Sequence, residues 1–274
     1  MTWIVGRALP WGCAAALSDI RVTLADRSEV DCLQKIYPVG RFIALGFAGS
    51  VAIGFGMVGR LRQLLGTVKP GEAWEPDVVA EWWPEDARKV FAAFPEGEQS
   101  LGCHLLMAGA HPSRNNGDAS WAIAYVYRFK SPDFVPQLAG ADEIVSIGSG
   151  EVVAEYSQAL RKLDERHGFD FLQLEVGQPG GSAIGLLRLI SQAVEATPKL
   201  GISHHMHVCV ARRGEILFGN NNARRGEILF GNNNLHYIGE SSGEDIIMPP
   251  VAQSYAELGQ MLRDRGKALA LAMC

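Results

Sequence analysis

Eighteen consecutive residues, Phe42 to Gly59, carry no charge, and the reading of this run decides what the rest of the chain can be. A membrane span needs about 20 apolar residues in one continuous helix. This run contains five glycines (46, 49, 54, 56 and 59), lies between Arg41 and Arg60, and changes its period midway. Phe42 to Phe47 has the pattern of a buried strand, whereas Val51, Phe55, Val58, Leu61 and Leu65 recur at helical spacing. The segment therefore reads as strand, turn and helix inside a globular core, and no membrane partner is expected.

The chain has 274 residues, 47% of them hydrophobic and 20% charged, enough for a substantial core without metals or disulfides. A formal charge of −5 supplies no basic field for a phosphate backbone, so nucleic acid is not expected as a partner. The five cysteines (13, 32, 103, 209 and 274) are widely spaced and form no C-x-x-C pair, which reads as buried thiols in a reducing compartment. Cys13 to Ser18 faintly resembles a signal cleavage site, but Arg7 interrupts the apolar run before it and Pro10 breaks any helix. A cytoplasmic location is the expectation.

Thr2 to Val5 and Ala14 to Leu17 have the form of a hairpin around Leu9-Pro10-Trp11-Gly12, and Ile20 to Leu24 continues extended. After the strand and helix of the uncharged run comes a linker at Lys69 to Glu72. Pro84-Glu85-Asp86 then opens a second helix with Ala87, Val90, Phe91 and Phe94 on its apolar face. Leu101 to Ala110 and Trp121 to Phe129 form a second hairpin across a polar loop, His111 to Asp118. Ile144 to Ile147 is a short strand ending in Gly148-Ser149-Gly150. Helices follow with Val152, Val153, Tyr156, Leu160 and Leu163 on one apolar face and Ser182 to Ala196 as another element. Met206 to Val210 and Glu215 to Phe218 close a further hairpin around Arg212 to Gly214.

Strands and helix pairs thus alternate in blocks, which predicts an α+β fold of antiparallel sheets with helix pairs packed outside. One domain over residues 2–234 is expected, with a C-terminal extension over 235–274 that carries a helix near Gln253 to Leu271. Ala211 to Asn222 is repeated without change as Ala223 to Asn234. Twelve is even, so the duplication preserves strand alternation, and a hairpin could use either copy.

Thr2 directly follows Met1. If Met1 is removed, one residue carries both a hydroxyl nucleophile and a free amine, the unit of an N-terminal threonine hydrolase. An α-amine has a pKa of roughly 7.7 to 8.0 and can take the hydroxyl proton near neutral pH. Thr2-Trp-Ile-Val, Ser18-Asp19-x-Arg21-Val-Thr, Lys35-Ile36, Phe42 to Ser50 and Gly148-Ser149-Gly150 occur in an order and at spacings that resemble the proteasome β-subunit family. The likeness is nearest to its bacterial branch, which includes HslV, Anbu and the proteobacterial proteasome homologues. It is good from Thr2 to about Leu65, returns at Ile144 to Tyr156 and is loose at Ser203 to Phe218.

The resemblance implies a four-layer αββα sandwich of the N-terminal-nucleophile hydrolase type, and it implies roles. Thr2 would be the nucleophile, with Lys35 lowering the pKa of its hydroxyl and Asp19 holding Lys35. The sixteen-residue separation of Asp19 from Lys35 matches the family, while the Leu9 to Gly12 turn is one residue longer. Gly49 would donate its backbone N–H to the oxyanion, Phe47 and Val51 would line the pocket before the cut bond, and Ser149 would orient the amine. The family usually carries an aspartate before the late hairpin, and here Gly201-Ile202-Ser203-His204 has none, so either Ser203 substitutes for it or that support is missing. Taken singly, Asp19 and Lys35 also fit solvated strand charges, and Gly49 and Gly148 to Gly150 fit plain turns.

In function, the resemblance implies a self-compartmentalising threonine peptidase, a homo-oligomeric double ring that takes peptide substrates, with an ATP-dependent unfoldase as a possible partner. A catalytically silent ring subunit and a stand-alone amidase are the alternatives. No cofactor or metal is expected. His205 and His207 would share a strand face, but no acidic residue or cysteine joins them at ligand spacing. Gly177 to Ser182 lacks the lysine of a P-loop and reads as a helix cap. Trp82 and Trp83 read as core or subunit-contact residues.

Overall fold

The computed structural model describes residues 2–9, 12–66, 74–111, 123–140, 143–161, 181–212, 215–220, 228–230, 235–237 and 249–266. Its strands are β1 (Trp3–Leu9), β2 (Cys13–Asp19), β3 (Arg21–Thr23), β4 (Glu29–Asp31), β5 (Ile36–Pro38), β6 (Ile43–Gly49), β7 (Cys103–Ala110), β8 (Ala124–Lys130), β9 (Gln137–Leu138), β10 (Ile144–Gly148), β11 (Met206–Arg212), β12 (Glu215–Asn220), β13 (Ile228–Phe230) and β14 (Leu235–Tyr237). The helices are α1 (Val51–Leu65), α2 (Pro76–Ala92), α3 (Glu96–Gln99), α4 over residues 154–161, α5 (Gly181–Ala196) and α6 (Tyr255–Asp264). A 3₁₀ turn, Ser149–Val152, joins β10 to α4.

Two five-stranded antiparallel sheets stack face to face, ordered β10-β1-β2-β11-β12 and β5-β6-β7-β8-β9. The alternation of each strand sorts its side chains into three apolar layers. From β1, Trp3 and Val5 point outward to Tyr156 of α4 and to Leu186, Leu187 and Ile190 of α5. Ile4 points inward and meets Ala14, Ala16, Ala44, Ala48, Leu106 and Ala108 between the sheets. Alanine on both inner faces lets the two backbones approach closely. From the second sheet, Leu45, Phe47, Leu105 and Met107 face Ile53, Met57 and Leu61 of α1 and Trp83 and Ala87 of α2. The order is helices, sheet, sheet, helices, the expected α+β sandwich.

The uncharged run resolves as β6 followed by α1, with Ser50 between them as N-cap, its hydroxyl accepting from the Ile53 N–H at 3.2 Å. Ser50 Oγ also donates to the Glu98 carboxylate of α3. No helix among the described residues is long and apolar enough to cross a bilayer. Cys13, Cys32, Cys103 and Cys209 are buried, as expected.

One expected boundary is corrected. α2 starts at Pro76, two turns before the expected opening at Pro84, and Pro84 lies inside it. Pro76 occupies the favoured first position, with Asp77 in the first turn. Val79, Ala80, Trp83, Ala87 and Phe91 form one continuous buried stripe across Pro84. That burial outweighs the cost of an interior proline, about 3 kcal/mol. Trp83 is a core residue, and Trp82 packs edge-on against Trp74 and Trp83.

The two repeat copies adopt different places. Glu215–Asn220 of the first copy forms β12 at the edge of the first sheet, whereas Ile228–Phe230 of the second forms β13, paired with β14 in a separate two-stranded ribbon. α6 is capped by Ser254 and buries Leu258 and Leu262 in the layer that holds α1. The linker at 69–72, most of the polar loop after β7, the 177–180 glycine segment and Cys274 lie outside the described residues.

Candidate active site

Thr2 immediately precedes β1, which lies between β10 and β2, so its position is set by two neighbouring strands. Its backbone nitrogen donates to Ser149 Oγ at 2.9 Å, and Ser149 Oγ donates back to the Thr2 carbonyl at 3.2 Å. Ser149 reaches this place because Gly148 turns the chain with φ +89°, opposite Trp3 in the strand pairing. A Cβ at Gly148 would lie 2.3 Å from the Thr2 carbonyl oxygen, so a side chain there would displace Thr2.

Asp19 closes β2 and Lys35 enters β5. Lys35 Nζ donates to both Asp19 oxygens at 2.9 Å, with 1% and 0% of the two side chains exposed. Asp19 also accepts from the backbone N–H groups of Trp3 (2.8 Å) and Arg21 (3.0 Å). The carboxylate therefore ties the start of β1 to the lysine. Burial lowers the Lys35 pKa, and the charge and hydrogen bonds of Asp19 oppose that shift. The reading of these two residues as solvated charges is excluded.

Thr2, Lys35, Phe47, Gly49, Val51 and Ser149 all line one cavity of about 280 Å³, with Asp19 behind Lys35. Gly49 ends β6 with φ +101°, and a Cβ there would lie 2.4 Å from the Gly102 carbonyl oxygen. The position accepts glycine alone without strain, and it brings bare backbone to the cavity wall. The site residues named from the sequence thus converge on one place.

Arg21, Thr23, Leu33, Leu101 and His104 also line the cavity and were not singled out as pocket residues from the sequence. Leu101 and His104 arrive through the β6–β7 pairing, in which Ala48 faces His104 and Gly49 faces Cys103. No local pattern announces such a pairing. Burial, helped by the nearby Lys130 charge, holds the His104 imidazole below its ordinary pKa.

Among the described residues, Ser203 is hydrogen-bonded to Asp31 and to the backbone N–H of His205. Its hydroxyl donates to Asp31 Oδ2 at 2.6 Å. Asp31 in turn receives the Arg21 guanidinium at 2.7 and 3.2 Å. Ser203 is thus linked through Asp31 to Arg21, which lines the cavity. The expectation that His205 and His207 share a face of one strand is also corrected. β11 begins at Met206, so His205 precedes the strand and stacks on His204 with ring centres 4.1 Å apart.

This arrangement is an antiparallel αββα sandwich of the α+β class, with Thr2 immediately before a central strand. Among solved structures the chain is similar to Anbu (ancestral beta-subunit) from Yersinia bercovieri, with a TM-score of 0.54 and 16% identity over 77% of this chain and 81% of that one. The likeness establishes the shared fold and supports the resemblance to proteasome-like β-subunits at that level. No family model matches the chain, and no curated protein matches it.

Proposed function

We propose that the chain is a threonine-type endopeptidase acting through Thr2. The observation that carries this reading is the single cavity shared by Thr2, Ser149, Lys35 and Gly49, with the Thr2 nitrogen already on Ser149 Oγ. With Met1 removed, that nitrogen becomes an amine oriented by Ser149 and able to take the Thr2 Oγ proton. The Lys35 ammonium, held by Asp19, favours the alkoxide form of the hydroxyl. Thr2 Oγ attacks the scissile carbonyl, the Gly49 N–H receives the developing oxyanion, and the amine passes its proton to the leaving nitrogen. Water then attacks the acyl-enzyme and frees Thr2. Phe47 and Val51 receive the side chain before the cut bond.

The subunits assemble as a homo-oligomeric double ring in the cytoplasm with Thr2 facing the interior. Enclosure would restrict the nucleophile to short or unfolded peptides.

Intact mass before and after treatment with an epoxyketone peptide tests the chemistry. The expected result is a chain beginning at Thr2 that gains one adduct, lost in Thr2→Ala. A correctly processed protein that takes no adduct and cuts no peptide would make it a silent ring subunit. An active monomer by native mass spectrometry would make it a stand-alone amidase.

A further inference from the structure

A second group of reactive side chains lies at the other end of β7 from His104. We propose that Glu75, Asp77 and His111 form a binding site for one divalent transition-metal ion of the zinc type. Each offers one ligand atom, and the three atoms lie within 4.8 Å of one another. Glu75 and Asp77 flank Pro76 at the start of α2, and His111 follows β7. The two segments are in tight contact, since a Cβ at Gly109 would come within 2.6 Å of the Pro76 ring.

The His111 side chain has no solvent exposure, and its Nε2 lies 3.3 Å from Glu75 Oε1. An imidazole nitrogen and a carboxylate oxygen so close must share a proton or a cation. Two ligands about 2.1 Å from a tetrahedral zinc ion would be about 3.4 Å apart, so the observed spacing already fits a shared metal.

Asp77 decides between the two. Among the described residues, its Oδ1 is shut off from solvent and accepts no hydrogen bond, while its Oδ2 has a 3.5 Å contact with the Tyr125 hydroxyl. Among the described residues, neither Glu75 nor Asp77 pairs with a lysine or arginine. A proton on His111 would satisfy Glu75 and leave Asp77 Oδ1 desolvated without a partner, at a cost of about 1–3 kcal/mol or more. One cation serves all three groups. The positive end of α2 explains acidic residues in its first turn, but it explains neither the buried imidazole nor the orphaned oxygen. An imidazole with two carboxylates favours zinc and its neighbours over magnesium or calcium, and three protein ligands leave a position for water. The ion would fasten the first turn of α2 to the end of β7. No ligand pattern marked this site in the sequence, because the helix start and the strand end are far apart along the chain.

The test uses the full-length protein stripped with EDTA and titrated with Zn²⁺ by calorimetry, with melting temperature as a second readout. Expected are one equivalent bound, a raised melting temperature, and binding weakened about tenfold or more in both Glu75→Gln and Asp77→Asn. Glu75 is partly exposed, so its variant remains informative if changes at buried His111 prevent folding. Mg²⁺ at millimolar concentration should not displace the zinc. Absence of stoichiometric zinc binding, binding unchanged in both variants, or displacement by Mg²⁺ would overturn the assignment. None of these readouts depends on peptidase activity.

Discussion

Asp19 holds Lys35 with both carboxylate oxygens at 2.9 Å, in a place where neither side chain is open to solvent. The two partners are not equivalent. Asp19 also receives two backbone N–H groups, from Trp3 and Arg21, whereas the Lys35 ammonium donates both of its hydrogen bonds to Asp19.

This asymmetry predicts unequal costs. Asp19→Ala leaves a buried ammonium without its counter-charge and frees the start of β1, and about 3–5 kcal/mol of stability should be lost. Lys35→Met leaves a carboxylate still held by two N–H donors, so its loss should be smaller. Chemical denaturation of the two variants gives the order, and a larger loss in Lys35→Met would contradict it.

At the nucleophile, Thr2→Ala should abolish peptide cleavage while leaving the native mass of the assembly unchanged. Ser149→Ala should lower kcat by about 100-fold with little change in KM, because Ser149 touches the amine and not the substrate. Steady-state kinetics on a fluorogenic peptide separates the two parameters.

Gly49→Ala places a methyl group 2.4 Å from the Gly102 oxygen in a left-handed backbone conformation. The backbone term alone is about 1–2 kcal/mol. Both melting temperature and activity should fall, and a variant of wild-type stability would show that β6 ends differently.

Burial pushes the His207 imidazole down to about 4. An unfolded histidine near 6.5 binds its proton first, so this contribution to stability is complete above about pH 6.5 and is lost as pH falls toward 4. The swing is about 3 kcal/mol. Melts between pH 4 and 8 should show it, and His207→Gln should flatten the curve in part. His104 and His205 are lowered by burial in the same direction and add to the effect.

Deleting residues 223–234 removes β13 and leaves β12 paired with β11 in the main sheet. The shortened chain should stay soluble and melt within a few degrees of the parent, because the lost ribbon lies outside both five-stranded sheets. Insoluble product would show that the second copy carries structural weight.

Local chemistry was legible along the chain. The alternation at Trp3 to Leu9 and Cys13 to Asp19, the change of period at Ser50 and the strand ending in Gly148 all appear where neighbouring residues specify them. Thr2, Asp19, Lys35, Gly49 and Ser149 were legible through their order and spacing. Pro84 misled because a proline followed by acidic residues suits a helix start equally well at Pro76, and the choice depends on which stripe is buried.

The sequence by itself determined the element types, the antiparallel α+β class and, through order and spacing, Lys35, Phe47, Gly49, Val51 and Ser149 as residues of the cavity that holds Thr2. Tertiary structure alone decided which side chains face each other across paired strands. The β6–β7 register put His104 and Leu101 into the cavity, the loop before β11 carried Ser203 to Asp31, and the docking of α2 on the end of β7 brought Glu75 and Asp77 to His111. The physical reason is the range of the interactions. Periodicity, caps and turns are set within a few residues, whereas register and docking depend on burying whole faces against partners far away in the chain.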